Sequence, residues 1–409
     1  MQHWISSGRR PSGWSGNRWR WSRLPRGRGW PSLPGAVFCL GLLLLVYPQA
    51  SGQTLAPGIV FEEVRRQAVA TDPLLPGGPQ VIYRLRIDPR QGTLRLGQAM
   101  DEVVGAETTS SMSRRAGALA AINGGYFRTT GVARGEPVGL LVKDGRILSE
   151  PVRNRASLLI GQGDAPRLAI VFPRLTLALR IGKIRLPVDG INRPREADEL
   201  VVYTPDYHRT TLTEPGGSEL VVRQGRRPEP LSAGQGRASW VIPPDGMVIS
   251  AHGKARERLE AIWRTDRPVR LQTDLQTGEP GSLPLPILLG AGPQLLRQGV
   301  VVLREQVESY APSFLTDRAP RTAIGWQSDG TILLVVVDGR QPQWSIGMTL
   351  AELAELMRDF GCQEALNLDG GGSTTMVVRD RVVNRPSDAT GERPVSDAIL
   401  LFPSRGRTQ

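Results

Sequence analysis

A chain of 409 residues, 40% hydrophobic and 22% charged, holds enough apolar material for a large core, as one big domain or two ordinary ones. Its formal charge of +12 is concentrated at one end: residues 1–52 contain seven arginines and no acid, and removing those seven leaves about +5, spread thinly. No Lys/Arg stripe or interleaved aromatics mark a nucleic-acid footprint, so no nucleic-acid partner is expected.

The first predicted element is that N-terminal segment. Arginines and tryptophans precede an apolar run, Gly35 to Tyr47, and then PQASGQ, where Ala50 and Gly52 are small enough for signal-peptidase cleavage. This is the charged, apolar, small-residue order of a secretory signal, and the run is too short to span a bilayer comfortably. Residues 1–52 are therefore expected to direct export to the periplasm, cell envelope or medium, with membrane contact only if the segment stays uncleaved. Cleavage would remove Cys39 and leave Cys362 alone, which excludes an intramolecular disulfide and predicts a buried, small apolar side chain. Residues 55–403 show no linker and no repeat and read as one large domain, followed by a short tail, 404–409.

Short β-type runs recur through that domain: 81–88, 138–145, 200–204, 219–223, 331–339 and 397–402, with turn signals between them. The clearest helix is predicted over Thr349 to Gly361. Thr349 and Glu352 have capping-box spacing, Leu350, Leu353, Ala354, Met357 and Phe360 form one apolar stripe, and Gly361 is a C-terminal stop. A second helix is predicted over 253–263. The expected class is a strand-rich, mixed α+β fold: a single large domain of mixed sheets with few helices. Strand, helix and strand run in sequence from 330 to 369, and this unit would place Asp338 and Asp369 at the carboxyl ends of neighbouring strands if those strands are parallel.

Four stretches pair glycines with polar residues at the edge of an apolar run: AINGGYF (121–127), GAGPQLL (290–296), 321–340 and NLDGGGSTTM (367–376). In the last, the amides of Gly370 to Ser373, with the hydroxyls of Ser373 and Thr374, have the makings of an anion nest, though a plain hairpin turn fits the same residues. No nucleotide P-loop pattern is present. His208 and His252, the two histidines beyond the signal, lie in no clustered His/Cys set, so no metal is expected; a Ser-His-Asp triad built on Ser373 lacks a motif for its histidine.

AINGGYF, RTAIG, VDGR, G-x-T-L-x-E-L-A and A-L-N-L-D-G-G-G-S-T, in this order, resemble the phosphodiester glycosidase family over about residues 60 to 403. The resemblance implies an exported hydrolase that cleaves the glycosidic bond of a sugar 1-phosphodiester, with a phosphate-linked glycan or sugar phosphodiester as partner and no cofactor. Carboxylates and phosphate do suit a hard divalent ion, but the family pattern does not require one. The leaving group of such a diester is already an anionic phosphate ester, so phosphate stabilisation matters more than protonation of the leaving oxygen. The resemblance thus implies Arg321, Gly370, Gly371, Gly372, Ser373 and Thr374 on the phosphate. It implies Asp369 as base or nucleophile, with Asp338 or Glu136 as its partner. Asn123 and Asn367 would orient sugar hydroxyls or carboxylates, with Gly124, Gly125 and Thr322 completing the substrate-binding set. The rival readings are a non-catalytic phosphoglycan-binding protein and a metal-dependent phosphodiesterase that cuts the P–O bond.

Overall fold

The run Ile332–Val337 is apolar at every position because both of its faces are covered. In the computed structural model, Ile332, Leu334 and Val336 enter one hydrophobic core, while Leu333, Val335 and Val337 enter another. Period-2 alternation puts successive side chains on opposite faces, so a strand sandwiched between two layers loses the polar positions that a half-exposed strand would keep. The described residues are 49–404, apart from 71–75, 162–165, 224–225, 227–228, 232–238, 264–266, 280–285, 304–307 and 309. The segment expected to direct export therefore lies, up to residue 48, outside the described residues, as do 405–409 of the tail. The strand Gln49–Ala56 starts within the last residues of that segment.

Ile332–Val337 belongs to an eight-stranded antiparallel sheet. Its order is Gln49–Ala56, Ile59–Ala68, Gly78–Ile87, Ile332–Val337, Arg321–Gln327, Cys362–Asn367, Gln294–Arg297 and Val300–Val301. Ile332–Val337 and Cys362–Asn367 are both antiparallel to Arg321–Gln327, so they run in the same direction. They are not neighbours, as the strand–helix–strand reading expected, because Arg321–Gln327 lies between them. A crossover helix can skip a position, and here the inserted strand carries Arg321 to the same end of the sheet as Asp369.

The helix Leu350–Asp359 covers one face of this sheet. Its N-terminus carries the expected capping box: the Glu352 amide donates to Thr349 Oγ1 at 3.1 Å and the Thr349 amide to the Glu352 carboxylate at 2.9 Å. Leu350, Leu353, Ala354, Leu356 and Met357 are buried against Leu295, Ala323, Leu333 and Val335, each large side chain contributing about 1.5–3 kcal/mol of apolar burial. Cys362 joins this layer as a free, buried thiol, pushed up to about 12 by burial. The opposite face packs on a five-stranded antiparallel sheet, Arg381–Val382, Met376–Val378, Ala120–Asn123, Asp397–Pro403 and Gly92–Gln98, through Ile122, Ile399, Leu401, Met376 and Leu366. Three further small sheets and the Arg256–Trp263 helix complete a mixed, strand-rich α+β fold with few helices among the described residues. No helix among them is long and apolar enough to cross a membrane.

Candidate functional site

The segment after Cys362–Asn367 has to leave one sheet and enter the next within eight residues, since Met376–Val378 pairs with Ala120–Asn123 in the other layer. That passage is Leu368 to Thr375, and its glycines make it feasible. Gly371 sits at φ +61, the left-handed region that costs glycine nothing. At Gly372 a Cβ would collide with the Arg393 guanidinium and the Asp388 carboxylate, so its absence lets that ion pair close directly onto the loop. The entropy cost of adjacent glycines is offset by separate geometric needs.

A cleft of about 380 Å³ opens over this loop, lined by Asp369, Gly370, Gly371 and Gly372 from the loop itself, and by Phe314, Asp317, Arg321, Arg340 and Arg393 from other segments. Larger hollows lie elsewhere, one of about 580 Å³ beside Arg153 and Phe172. The smaller cleft is the candidate site because it collects charge of both signs against a backbone turn. Arg321 is 2% exposed and forms no ion pair among the described residues, although the Asp317 and Glu352 carboxylates lie near enough to favour its charge. Its Nε donates to the Met348 carbonyl at 2.8 Å, and its Nη2 to the Asp317 and Phe314 carbonyls at 2.7 and 3.0 Å. Burial, reinforced by the nearby Arg340, lowers it to about 10. Arg340 is exposed, stands over Gly371 and has no ion-pair partner among the described residues. Arg393 is held by Asp388 in a two-point contact of 2.7 and 2.9 Å. A buried guanidinium left without a counter-ion carries a desolvation cost that a bound anion would offset.

Asp369 keeps part of its surface open to the cleft. Its Oδ1 accepts from the Gly370 amide at 2.9 Å, and the Ser373 hydroxyl lies near enough to steady its charge without an aligned hydrogen bond. Burial pushes its carboxyl up to about 6, and the neighbouring Asp397 adds to that push while Arg393 opposes it. Asp397 is itself buried, with its oxygens taken by the Gly125 amide at 2.8 Å and the Ser396 hydroxyl at 2.9 Å, and burial raises it to about 6 as well.

Of the residues singled out from the sequence, the structure brings Asp369, Arg321, Gly370, Gly371 and Gly372 into this cleft. The others stand behind it or apart from it. Three of the four amides expected in the anion nest are already committed: Gly370 to Asp369, Gly371 to the Pro320 carbonyl at 2.8 Å and Ser373 to the Gly370 carbonyl at 3.2 Å. The Ser373 and Thr374 side chains are fully buried and do not line the cleft. Positive charge from arginines thus replaces most of the expected backbone cradle. Asn123 is a clasp: its Nδ2 donates to the Asp369 carbonyl at 2.7 Å, and its Oδ1 accepts from Thr322 Oγ1 at 2.8 Å and the Thr375 amide at 3.1 Å. Asn367 donates to the Gly292 carbonyl at 2.9 Å and to Tyr126 Oη at 2.8 Å. The amides of Gly124 and Gly125 are both spent on Asp397.

Neither expected partner carboxylate lines the cleft. Asp338 accepts from Trp344 Nε1 at 2.8 Å, Asn384 Nδ2 at 3.0 Å and the Arg385 amide at 3.0 Å, which closes it into a buried network. Glu136 is buried in an ion pair with Arg128 at 2.6 Å, and burial pushes it to about 7. The second carboxylate in the cleft is Asp317, which the sequence did not single out, and Arg340, Arg393 and Phe314 were missed with it. Phe314 stacks on Tyr310 at 5.0 Å and meets Tyr126 edge-on at 6.1 Å, giving the cleft one aromatic wall. Among the described residues no group of three or more His, Cys, Asp or Glu side chains stands within reach of a common metal ion.

Residues 212–402 match the model of the phosphodiester glycosidase family. The chain is 29% identical over 157 residues to the N-acetylglucosamine-1-phosphodiester alpha-N-acetylglucosaminidase of Mus musculus, covering 36% of this chain and 30% of that protein. It is 40% identical over 87 residues to an SPbeta prophage-derived uncharacterized protein of Bacillus subtilis, covering 21% and 13%. These matches span less than a third of either relative's own length. The fold is shared with a Burkholderia pseudomallei protein described as exported, at TM-score 0.74 and 24% identity, over 87% of this chain and 97% of that one. The family model matches less than half of the chain, and the likeness points to the family and to none of its individual members.

Proposed function

We infer that this chain is an exported hydrolase that cleaves the glycosidic bond of a sugar 1-phosphodiester, acting on a phosphate-linked glycan or a smaller sugar phosphodiester. Hydrolysis of the phosphodiester-glycosidase type is supported by the family match and by the activity in the mouse relative's name. Export is supported by the order of residues 1–52. The observation that carries the reading is the meeting of Asp369 with Arg321, Arg340 and Arg393 over one glycine turn.

These groups divide the work as the reaction requires. The phosphate lies against Arg340 and Arg393, with the buried, unneutralised Arg321 beneath them. Their charge stabilises the phosphate ester as it departs with the electron pair of the broken C–O bond. Asp369 works in its ionised form at the anomeric carbon, as base toward water or as nucleophile, and Asp317 is the second carboxylate within the cleft. Asn123, Thr322 and Asn367 act from behind by fixing the Asp369 backbone and the strand that delivers it. Asp397 is a positioning residue that keeps the proton affinity of Asp369 high. The test is to incubate the secreted form with a panel of sugar 1-phosphodiesters and follow the products by NMR. Release of free sugar and a phosphomonoester, lost in Asp369→Asn while ligand binding survives, supports the reading. Binding without turnover in either form would make the chain a phosphoglycan-binding protein instead.

A further inference from the structure

Arg393 belongs to two hollows. It lines the Asp369 cleft, and it also lines a second hollow of about 310 Å³ walled by Phe127, Thr129, Arg134, Thr390 and Pro394. The Arg393–Asp388 pair, seated on the side-chain-free face of Gly372, stands at the boundary between them. The two compartments differ in chemistry. The first holds Asp369 and Asp317. The second has hydroxyls, an aromatic edge and arginines, and its one carboxylate, Asp388, is occupied by Arg393.

Arg134 is the unexplained group. It is exposed and has no carboxylate or hydrogen-bond partner for its side chain among the described residues. The segment that carries it is nevertheless fixed. The Arg128 amide donates to the Glu136 carbonyl at 2.8 Å, the Gly135 amide to the Arg128 carbonyl at 2.8 Å, and the Arg128–Glu136 ion pair closes the base at 2.6 Å. A guanidinium held on a braced turn, facing a polar hollow and lacking a counter-ion, is suited to a planar anion.

Resting on the reading of the first cleft as a phosphodiester glycosidase site, we propose that the second hollow is the leaving-group subsite and that it selects an esterifying alcohol bearing its own anionic group. The saccharide occupies the Asp369 cleft, the scissile phosphate sits at Arg393, and the polyhydroxylated alcohol crosses into the second hollow, where its phosphate or carboxylate meets Arg134. Water adds its oxygen to the anomeric carbon and gives up a proton to the Asp369 carboxylate, which passes it on to solvent. The C–O electron pair leaves with the phosphate, and the product is a phosphomonoester whose far end is still held by Arg134. The substrate class this favours is a glycan whose phosphates recur, so that one anion is cut while the next is read.

Calorimetric titration of methyl phosphate and of glycerol 1,3-bisphosphate into the unmodified chain, Arg134→Ala and Arg393→Ala tests the subsite without requiring turnover. The unmodified chain should bind the bisphosphate about tenfold or more tighter than methyl phosphate, the scale of one charge-assisted contact. Arg134→Ala should erase that preference and leave methyl phosphate unchanged, while Arg393→Ala should weaken both. Equal binding of the two ligands by the unmodified chain, binding of neither, or an Arg134→Ala effect common to both would overturn the subsite. The expected binding pattern in a protein that hydrolyses no sugar 1-phosphodiester would keep the paired-anion subsite and reject the glycosidase reading.

Discussion

Asp338 and Asp369 stand at the same end of one sheet, just past strands that run the same way, and differ in what surrounds them. Asp338 is surrounded by Trp344, Asn384 and Arg385, which donate to both of its oxygens, whereas Asp369 accepts an aligned hydrogen bond from the Gly370 amide alone among the described residues, with Ser373 and Asp397 nearby, and lines a cleft of arginines. One carboxylate organises the loops that pass over it, and the other stays partly open to the cleft. A strand end thus offers a position, and the loops that arrive from elsewhere decide whether the position is structural or chemical.

The sharpest way to break this contrast is to make the same substitution twice. Asp369→Asn should cut the rate of sugar 1-phosphodiester hydrolysis by about 10²–10⁴-fold, the scale of a lost acid–base group. Asp338→Asn should leave the rate per folded molecule within a few-fold, as measured by steady-state kinetics on protein shown to be folded by circular dichroism. Comparable losses in both would mean that Asp338 also takes part in the chemistry.

Thermal unfolding should separate the pair in the opposite sense. Asp338→Asn sets an amide N–H₂ against groups that are already donors, and a buried mismatch of that kind costs about 1–3 kcal/mol. Asp369 has its native carboxyl raised to about 6 from an ordinary 3.8, chiefly by burial. The native state therefore holds its proton more tightly than the unfolded chain does. The protonated form's advantage is complete below about pH 4 and is lost as pH rises through 6. Asp369→Asn should accordingly raise the melting temperature by roughly 2 °C at pH 7 and leave it unchanged below pH 4. A fall at pH 7 would show that the ionised carboxylate stabilises the fold.

A finer distinction lies in the pH profile. If Asp369 works ionised, kcat/KM should climb as pH rises through about 6, the value burial gives its carboxyl. Asp397→Asn removes the neighbouring buried charge that raises Asp369, so the climb should move to lower pH, by less than about one unit because burial is the larger cause. Asp338→Asn should leave the midpoint where it is.

Sequence patterning carried much of this fold. The capping box, the apolar stripe of the 350–359 helix and the β-type run over 331–339 are local patterns, and the structure has a capped helix and a strand there, although the covering of both faces of that strand emerges only from the structure. The glycine turn was equally legible as a place where backbone must come close to something. What it comes close to was not, since Arg393, Arg340 and Asp317 reach the turn from three other segments through long-range strand pairing. The same distance hid the difference between the two aspartates. Trp344, Asn384 and Arg385 close over Asp338 only once the sheets have stacked, and nothing in V-D-G-R distinguishes a carboxylate that will be covered from one that will stay open.

The most direct measurement is hydrolysis of a cleavable sugar 1-phosphodiester in oxygen-18 water, with both products examined by mass spectrometry. Attack at the anomeric carbon beside Asp369 should put the heavy oxygen in the released sugar and none in the phosphomonoester. Label in the phosphate would mean that the P–O bond is broken, and the assignment of Asp369 to the saccharide would be contradicted.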